Sequence, residues 1–163
     1  DPWVSTSNGV DFQHLRTLHG LPVVDPDAVT VGEHSIEYRI ESPVALQEGR
    51  ITGVNTFSQH LAVGDQHMFM LFSGAPITHG HTLGFYVYGV RDLGQGPEGG
   101  LGRAGAAEQL AELGAFVRQL IAEDAPVLDT IRFRPRVLVA SDRHLARFLK
   151  YVREFPRALP LDA

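Results

Sequence analysis

With 163 residues, 44% of them apolar and 20% charged, the chain is long enough to bury a core and is read as a single soluble domain over residues 1–163. Its net charge of -5 argues against a basic nucleic-acid-binding surface, and no apolar run reaches membrane-spanning length. Having no cysteine, it excludes disulfides, Cys-ligated zinc and Cys-ligated iron–sulfur clusters within these residues, a composition that fits a cytoplasmic protein. The opening Asp1-Pro2-Trp3 has no initiator Met and no signal-peptide pattern, so a chain with something removed upstream is expected.

In chain order, Ser7 or Asn8 is placed to cap a first helix, because a short oxygen side chain takes an orphan N–H of the first turn. That helix is expected to run to about Leu18, with Phe12, Leu15 and Leu18 on its buried face and Gly20 and Pro22 as stop signals. Asp25-Pro26-Asp27 reads as a turn. Alternation then begins: Val29 and Val31, followed by Ile36, Tyr38 and Ile40, read as strands, with breaks at Ser42-Pro43 and Glu48-Gly49. Ile51 to Val63 reads as a strand pair, Gly64-Asp65 as a turn, and His67 to Phe72 as a buried strand. Ala75-Pro76 is expected to turn the chain into a long strand over Thr78 to Val90. Five or six strands joined by short turns predict an antiparallel meander.

After a glycine-rich stretch from Arg91 to Gly105, the spacing of Leu110, Leu113, Phe116, Val117, Leu120 and Ile121 predicts an amphipathic helix over Ala106–Glu123, ended by Pro126. An extended segment around Arg132, Arg134 and Arg136 leads to a last helix over Asp142–Phe155, with Leu145, Phe148, Leu149 and Val152 inward. The fold class expected is α+β, a curved antiparallel sheet wrapped around a long C-terminal helix, the helix-grip (Bet v1/START-like) arrangement. Such a grip encloses an apolar cavity, and alternate members of Met68, Phe69, Met70, Phe72, Phe85, Tyr86 and Tyr88 would face it.

The chemistry concentrates in the first helix. Asn8, Asp11, His14 and His19 put an amide, a carboxylate and two imidazoles within twelve residues. Imidazole is the commonest protein ligand for transition metals, and two imidazoles with one carboxylate leave positions of a metal open for oxygen. Five residues correspond to about 140° on a regular helix, poorly placed for one ion. A loosened final turn before Gly20 would bring His14 and His19 together. Asp11, one turn before His14, would accept the other ring N–H of His14 and fix its tautomer.

Asn-x-x-Asp-x-x-His-x-x-x-x-His followed by Gly resembles the mononuclear-iron motif of the Rieske non-haem iron oxygenases, the α subunits of aromatic-ring-hydroxylating dioxygenases and related monooxygenases. Trp3 sits where that family often has a Trp, whereas Ser7 stands where the family usually has Glu. The order of sheet, long helix, acidic ligand and C-terminal helix also follows the family. By this resemblance His14, His19 and Asp124 bind Fe(II), with Asp129 and Asp142 as alternatives for the acid. Asn8 lies near the iron, and Asp11 relays electrons across a subunit boundary. The resemblance also implies O2 and a hydrophobic aromatic, alicyclic or steroid-like substrate, ferredoxin and reductase as electron donors, and a homotrimer in the full-length form.

Family members carry a Rieske [2Fe–2S] cluster on two Cys and two His. Without cysteine, this chain must leave that cluster to a removed domain, to another polypeptide, or to neither if electron supply has been lost. The isolated chain is therefore expected not to turn over. Two other readings of the same residues are a non-enzymatic binder of apolar ligands and a zinc hydrolase using the same triad. His79-x-His81 on one strand face, the Gly94-x-Gly96-x-x-Gly99 pattern and the three arginines are weaker signals. They read as pocket or surface residues, a loop over a pocket mouth, and packing or ion-pairing arginines. His60 and His67 read as isolated strand residues.

Overall fold

Six strands form one sheet in strict chain order, every neighbour antiparallel. Short turns allow only this, since a parallel neighbour needs a crossover. The structure, a computed structural model, describes residues 2–91, 102–131 and 137–156. Two short helices, α1 (Pro2–Ser7) and α2 (Phe12–Thr17), precede β1 (Val29–Val31), β2 (Ser35–Glu41), β3 (Ala45–Thr52), β4 (Thr56–Val63), β5 (Gln66–Thr78) and β6 (His81–Val90). The long α3 (Gly102–Thr130) and then α4 (Arg143–Glu154) follow. The α+β class is as expected, a six-stranded antiparallel sheet packed against a long helix. No described helix is long and apolar enough to cross a membrane.

The register stacks side chains of the inner face into rows. One row runs Ile36, Ile51, Phe57, Phe72, Tyr86 across β2 to β6. Its first four members are buried, and Ile36, Ile51 and Phe57 share a core with Phe12 of α2 and Phe148, Leu149 and Tyr151 of α4. Each large side chain removed from water there contributes about 1.5–3 kcal/mol. In the next rows, Tyr38, Gly49, Gln59, Met70, Tyr88 and Ile40, Gln47, Leu61, Met68, Val90, Tyr38 belongs to that core and Ile40 and Met70 pack against it.

Long α3 does not close over these rows. Its apolar positions Leu113, Val117, Leu120 and Ile121 face the sheet across a cavity of about 950 Å³. Of the apolar stripe only Val117 is buried, and Phe116 stays 42% exposed. The stripe has the period of a packed helix because it faces the sheet, yet it lines a space rather than a core.

Several local expectations are corrected. The first expected helix starts later: Ser7 Oγ does not cap it but donates to the Val4 carbonyl at the end of α1, a helix not expected, and α2 begins at Phe12 with Asp11 as its N-cap. Leu18 is exposed rather than buried. β3 runs straight through Glu48-Gly49 because Gly49 lies opposite Tyr38, whose ring fills the space a side chain would need. β5 likewise runs through Ala75-Pro76 to Thr78, and the turn falls at His79-Gly80. Beyond Ser73 β5 pairs with β6 alone, so proline's missing donor faces no partner strand. His79 therefore leaves the strand face assigned to it with His81. Within His67–Phe72, Phe69 and Leu71 are exposed on the outer face, so that segment alternates instead of being buried throughout. α3 passes Pro126 and ends at Thr130. Proline removes only one ladder bond there, and Thr130 Oγ1 donates back to the Pro126 and Val127 carbonyls. The Gly94–Gly99 pattern and the segment of Arg132, Arg134 and Arg136 lie outside the described residues.

Two consequences are measurable. Gly49→Ala drives a methyl into the Tyr38 ring, which is itself buried against Phe12 at 4.9 Å. A loss of about 1–3 kcal/mol in chemical denaturation is expected. His144 of α4 is buried edge-on to Phe12 with neither ring nitrogen hydrogen-bonded. Burial pushes its pKa down, Arg143 adds to that shift, Asp25 opposes it and Arg147 adds again. The unfolded chain thus takes up this proton first, so stability should fall as pH drops below about 6.5 and level off once the folded form also protonates. Urea midpoints at about pH 7.5 and about pH 5 check this, and His144→Leu should flatten the difference.

Candidate metal centre

The segment that carries both imidazoles is fixed at several points. Phe12 inserts between Tyr38 of β2 and His144 of α4. Arg16 donates to the Val23 carbonyl at 3.1 Å and to Asp25 at 2.8 Å, which folds the following loop back on α2. The other oxygen of Asp25 is held by Arg143 of α4 at 2.8 Å. In the turn before α2, Gly9 presses so closely on the Phe57 ring that a Cβ would stand 2.6 Å from it. That contact places Asn8 beside α3.

Asp11 caps α2: its Oδ1 accepts the His14 backbone N–H at 3.0 Å. The expectation that its carboxylate takes the His14 ring proton is corrected, because the Asp11 backbone carbonyl does so at 2.8 Å from Nδ1. A carbonyl only accepts, so Nδ1 bears the hydrogen and Nε2 is bare. α2 ends at Thr17, with Leu18 as its C-cap. Gly20 at φ 65° then lets the chain leave in the left-handed conformation. His19 is therefore off the helix, which removes the angular mismatch expected from a five-residue spacing. The two rings come to 5.0 Å, nearly perpendicular.

Asp124 projects from α3 on the stripe of Val117, Leu120 and Ile121 and lines the cavity. Its Oδ1 lies 3.1 Å from His19 Nε2 and 3.5 Å from His14 Nε2. Its Oδ2 accepts from Asn8 Nδ2 at 3.0 Å. Among the described residues, His14, His19 and Asp124 are the group of metal-ligand type whose donor atoms all lie within 4.8 Å of one another. The alternatives for the acid go elsewhere: Asp129 is exposed on α3, and Asp142 Oδ2 accepts the Val139 N–H at 2.8 Å.

A divalent cation fits this donor set. His14 Nε2 is buried without a hydrogen-bond partner. His19 Nδ1 lies 2.6 Å from Glu123 Oε2, and in a neutral ring with its hydrogen on that nitrogen the Nε2 lone pair also faces an anionic oxygen. Two bare nitrogens directed at a carboxylate call for a positive charge between them. Separations of 3.1 and 3.5 Å are of the order spanned by two ligands on one first-row ion with bonds of about 2.0–2.2 Å. Glu123 escaped the sequence reading as a functional residue, although its position next to the chosen acid was in plain sight. The His19 hydrogen bond, then that of Gln119, holds its carboxyl below the usual range. Burial, then the Asp124 charge, pushes the Tyr86 phenol up on the cavity wall. Burial keeps the Tyr38 phenol neutral, and Gln47 donates to it at 3.3 Å.

A second concavity of about 990 Å³ lies on the outer face of the sheet, so size alone does not single out the inner one. It is carpeted by ion pairs such as Arg39–Glu48. His60 and His67, read as isolated, meet there at 2.9 Å across β4 and β5, and Glu48 holds the other His60 nitrogen. Asp11→Ala should remove the α2 cap and cost about 1 kcal/mol, while Asp11→Asn should stay within a few tenths, both read from urea denaturation.

No protein-family model and no curated protein matches this sequence. Solved structures match its fold. The QL mutant of NdmA from Pseudomonas putida CBB5, solved with caffeine, superposes with a TM-score of 0.71 at 16% identity, covering 94% of this chain and 46% of that one. The same mutant with theobromine gives 0.70 at 16% identity, and NdmB of the same organism gives 0.68 at 18%, with the same coverage of both chains. This chain thus spans about half the length of the structures it matches, 46% in each case. The fold is that of the Rieske oxygenase catalytic domain, here with a His-His-Asp group suited to a metal ion.

Proposed function

We propose that this chain is the mononuclear-iron catalytic domain of a Rieske-type oxygenase that hydroxylates a hydrophobic substrate. The observation that carries this reading is the meeting of His14, His19 and Asp124 on the wall of an apolar cavity, on the matching fold. Those three residues would hold Fe(II). Bound iron, fed by a Rieske [2Fe–2S] cluster outside these residues and by ferredoxin and reductase behind it, supplies reductive activation of O2.

The chain's own residues do the rest. Asn8 ties down Asp124 Oδ2 and leaves Oδ1 toward the imidazoles. Met68, Met70, Phe72 and Leu120 give the substrate apolar walls and exclude water, while Gln47 and Gln59 supply carboxamides on the sheet side. NdmA was solved with caffeine and theobromine, flat N-methylated rings. A neutral, planar ring compound with one polar edge suits this cavity in the same way. Asp11, on the side of His14 away from the cavity, carries electrons between neighbouring subunits of a homotrimer.

Under anaerobic conditions the chain should bind one Fe(II). His14→Ala, His19→Ala and Asp124→Ala should each weaken binding by roughly 100-fold or more, beyond the usual loss for an outer partner. A wild-type chain that holds no iron sinks the catalytic reading. The cavity also favours a second reading, a binder of apolar ligands that needs no metal. It requires a hydrophobic ligand to raise the melting temperature equally in wild type and His14→Ala, with or without iron.

A further inference from the structure

We infer that Glu123 is a positioning residue for the metal centre: it draws the His19 proton onto Nδ1 and so keeps Nε2 bare for the ion. This rests on the iron reading given above. A neutral imidazole has one N–H and chooses between its two nitrogens according to the acceptors around it. His19, whose side chain is 1% exposed, has a carboxylate at each: Glu123 Oε2 at 2.6 Å from Nδ1, and Asp124 Oδ1 at 3.1 Å from Nε2. With the proton on Nε2, His19 and Asp124 would satisfy each other, and a cation would have to displace that hydrogen. The shorter contact to Glu123 favours the other tautomer. Glu123 is held in place from one turn earlier on α3, where Gln119 Nε2 donates to its Oε1 at 2.9 Å. Its carboxylate stays outside the donor trio, so it acts through His19 rather than on the ion. At His14 the same task falls to the Asp11 backbone carbonyl, which no substitution removes. Glu123 is thus the side chain on which tautomer control of the two imidazoles can be tested.

The test uses the 163-residue chain, Co(II) as the probe, and two variants. In Glu123→Leu, ¹H–¹⁵N NMR of the metal-free protein should show the His19 hydrogen moving to Nε2, and Co(II) affinity should fall by about 10- to 100-fold, the usual range for loss of a ligand's outer partner. Glu123→Gln keeps an acceptor oxygen and should restore most of the Nδ1–H form with an intermediate affinity. Circular dichroism identifies any variant that fails to fold, and Gln, smaller in its perturbation, then carries the comparison. Unchanged tautomer and an affinity within about threefold of wild type in Glu123→Leu overturn the inference, as does either change without the other. If the wild-type chain takes up no Co(II), the iron reading falls and this inference with it. If wild type binds and Glu123→Leu binds equally, only the inference falls.

Discussion

One carboxylate organises this molecule. Asp124 offers Oδ1 to two imidazole nitrogens and Oδ2 to the Asn8 amide, and all three partners come from the first nineteen residues. Two lone pairs directed at an anion repel unless a cation lies between them, so with both Nε2 atoms bare the arrangement is suited to hold a metal ion. Every device around it serves that approach: the Asp11 cap, the Phe12 plug, the Asp25 bridge from α2 to α4, and the Gly9 contact on Phe57. The cost of so concentrated a charge is met by hydrogen bonds outside the trio, from Gln119 to Glu123 and from Asn8 to Asp124.

The second determinant is what α3 does not do. A helix with an apolar stripe ordinarily buries it, and here the core is instead built by α4 and α2 on the first side-chain row of the sheet. Held off the later rows, α3 leaves its stripe lining a cavity whose wall includes Asp124. Fold and site are therefore one construction: the residue that continues the stripe after Leu120 and Ile121 is an acid, set in the cavity wall between them and Leu128.

Much of this was legible in the letters. Alternation gave the strands, because one face is buried and the other wet, and short turns gave their order. The residue types Asn8, Asp11, His14 and His19 pointed to a metal despite a spacing poor for one ion, and likeness to an oxygenase motif pointed to the two histidines with Asp124. What misled were residues whose usual meaning a neighbour overrides. Gly49 looks like a break until Tyr38 is seen to cover it, and Pro76 looks like a turn until β4 is seen to end before it. Pro126 looks like a stop, yet α3 tolerates one missing bond. The His60–His67 pair and the Glu123–His19 contact link residues on different elements, and no local pattern announces them.

The separation along the chain has a kinetic corollary. Asn8 and Asp124 are 116 residues apart, with the whole sheet between them. Closing so long a loop is entropically slow and is rewarded only after the meander has formed. During synthesis an emerging polypeptide offers two nearby imidazoles without Asp124, an incomplete donor set. The full donor set of His14, His19 and Asp124 waits for α3, so an ion bound there would load on completion of the tertiary structure rather than on the appearance of the histidines.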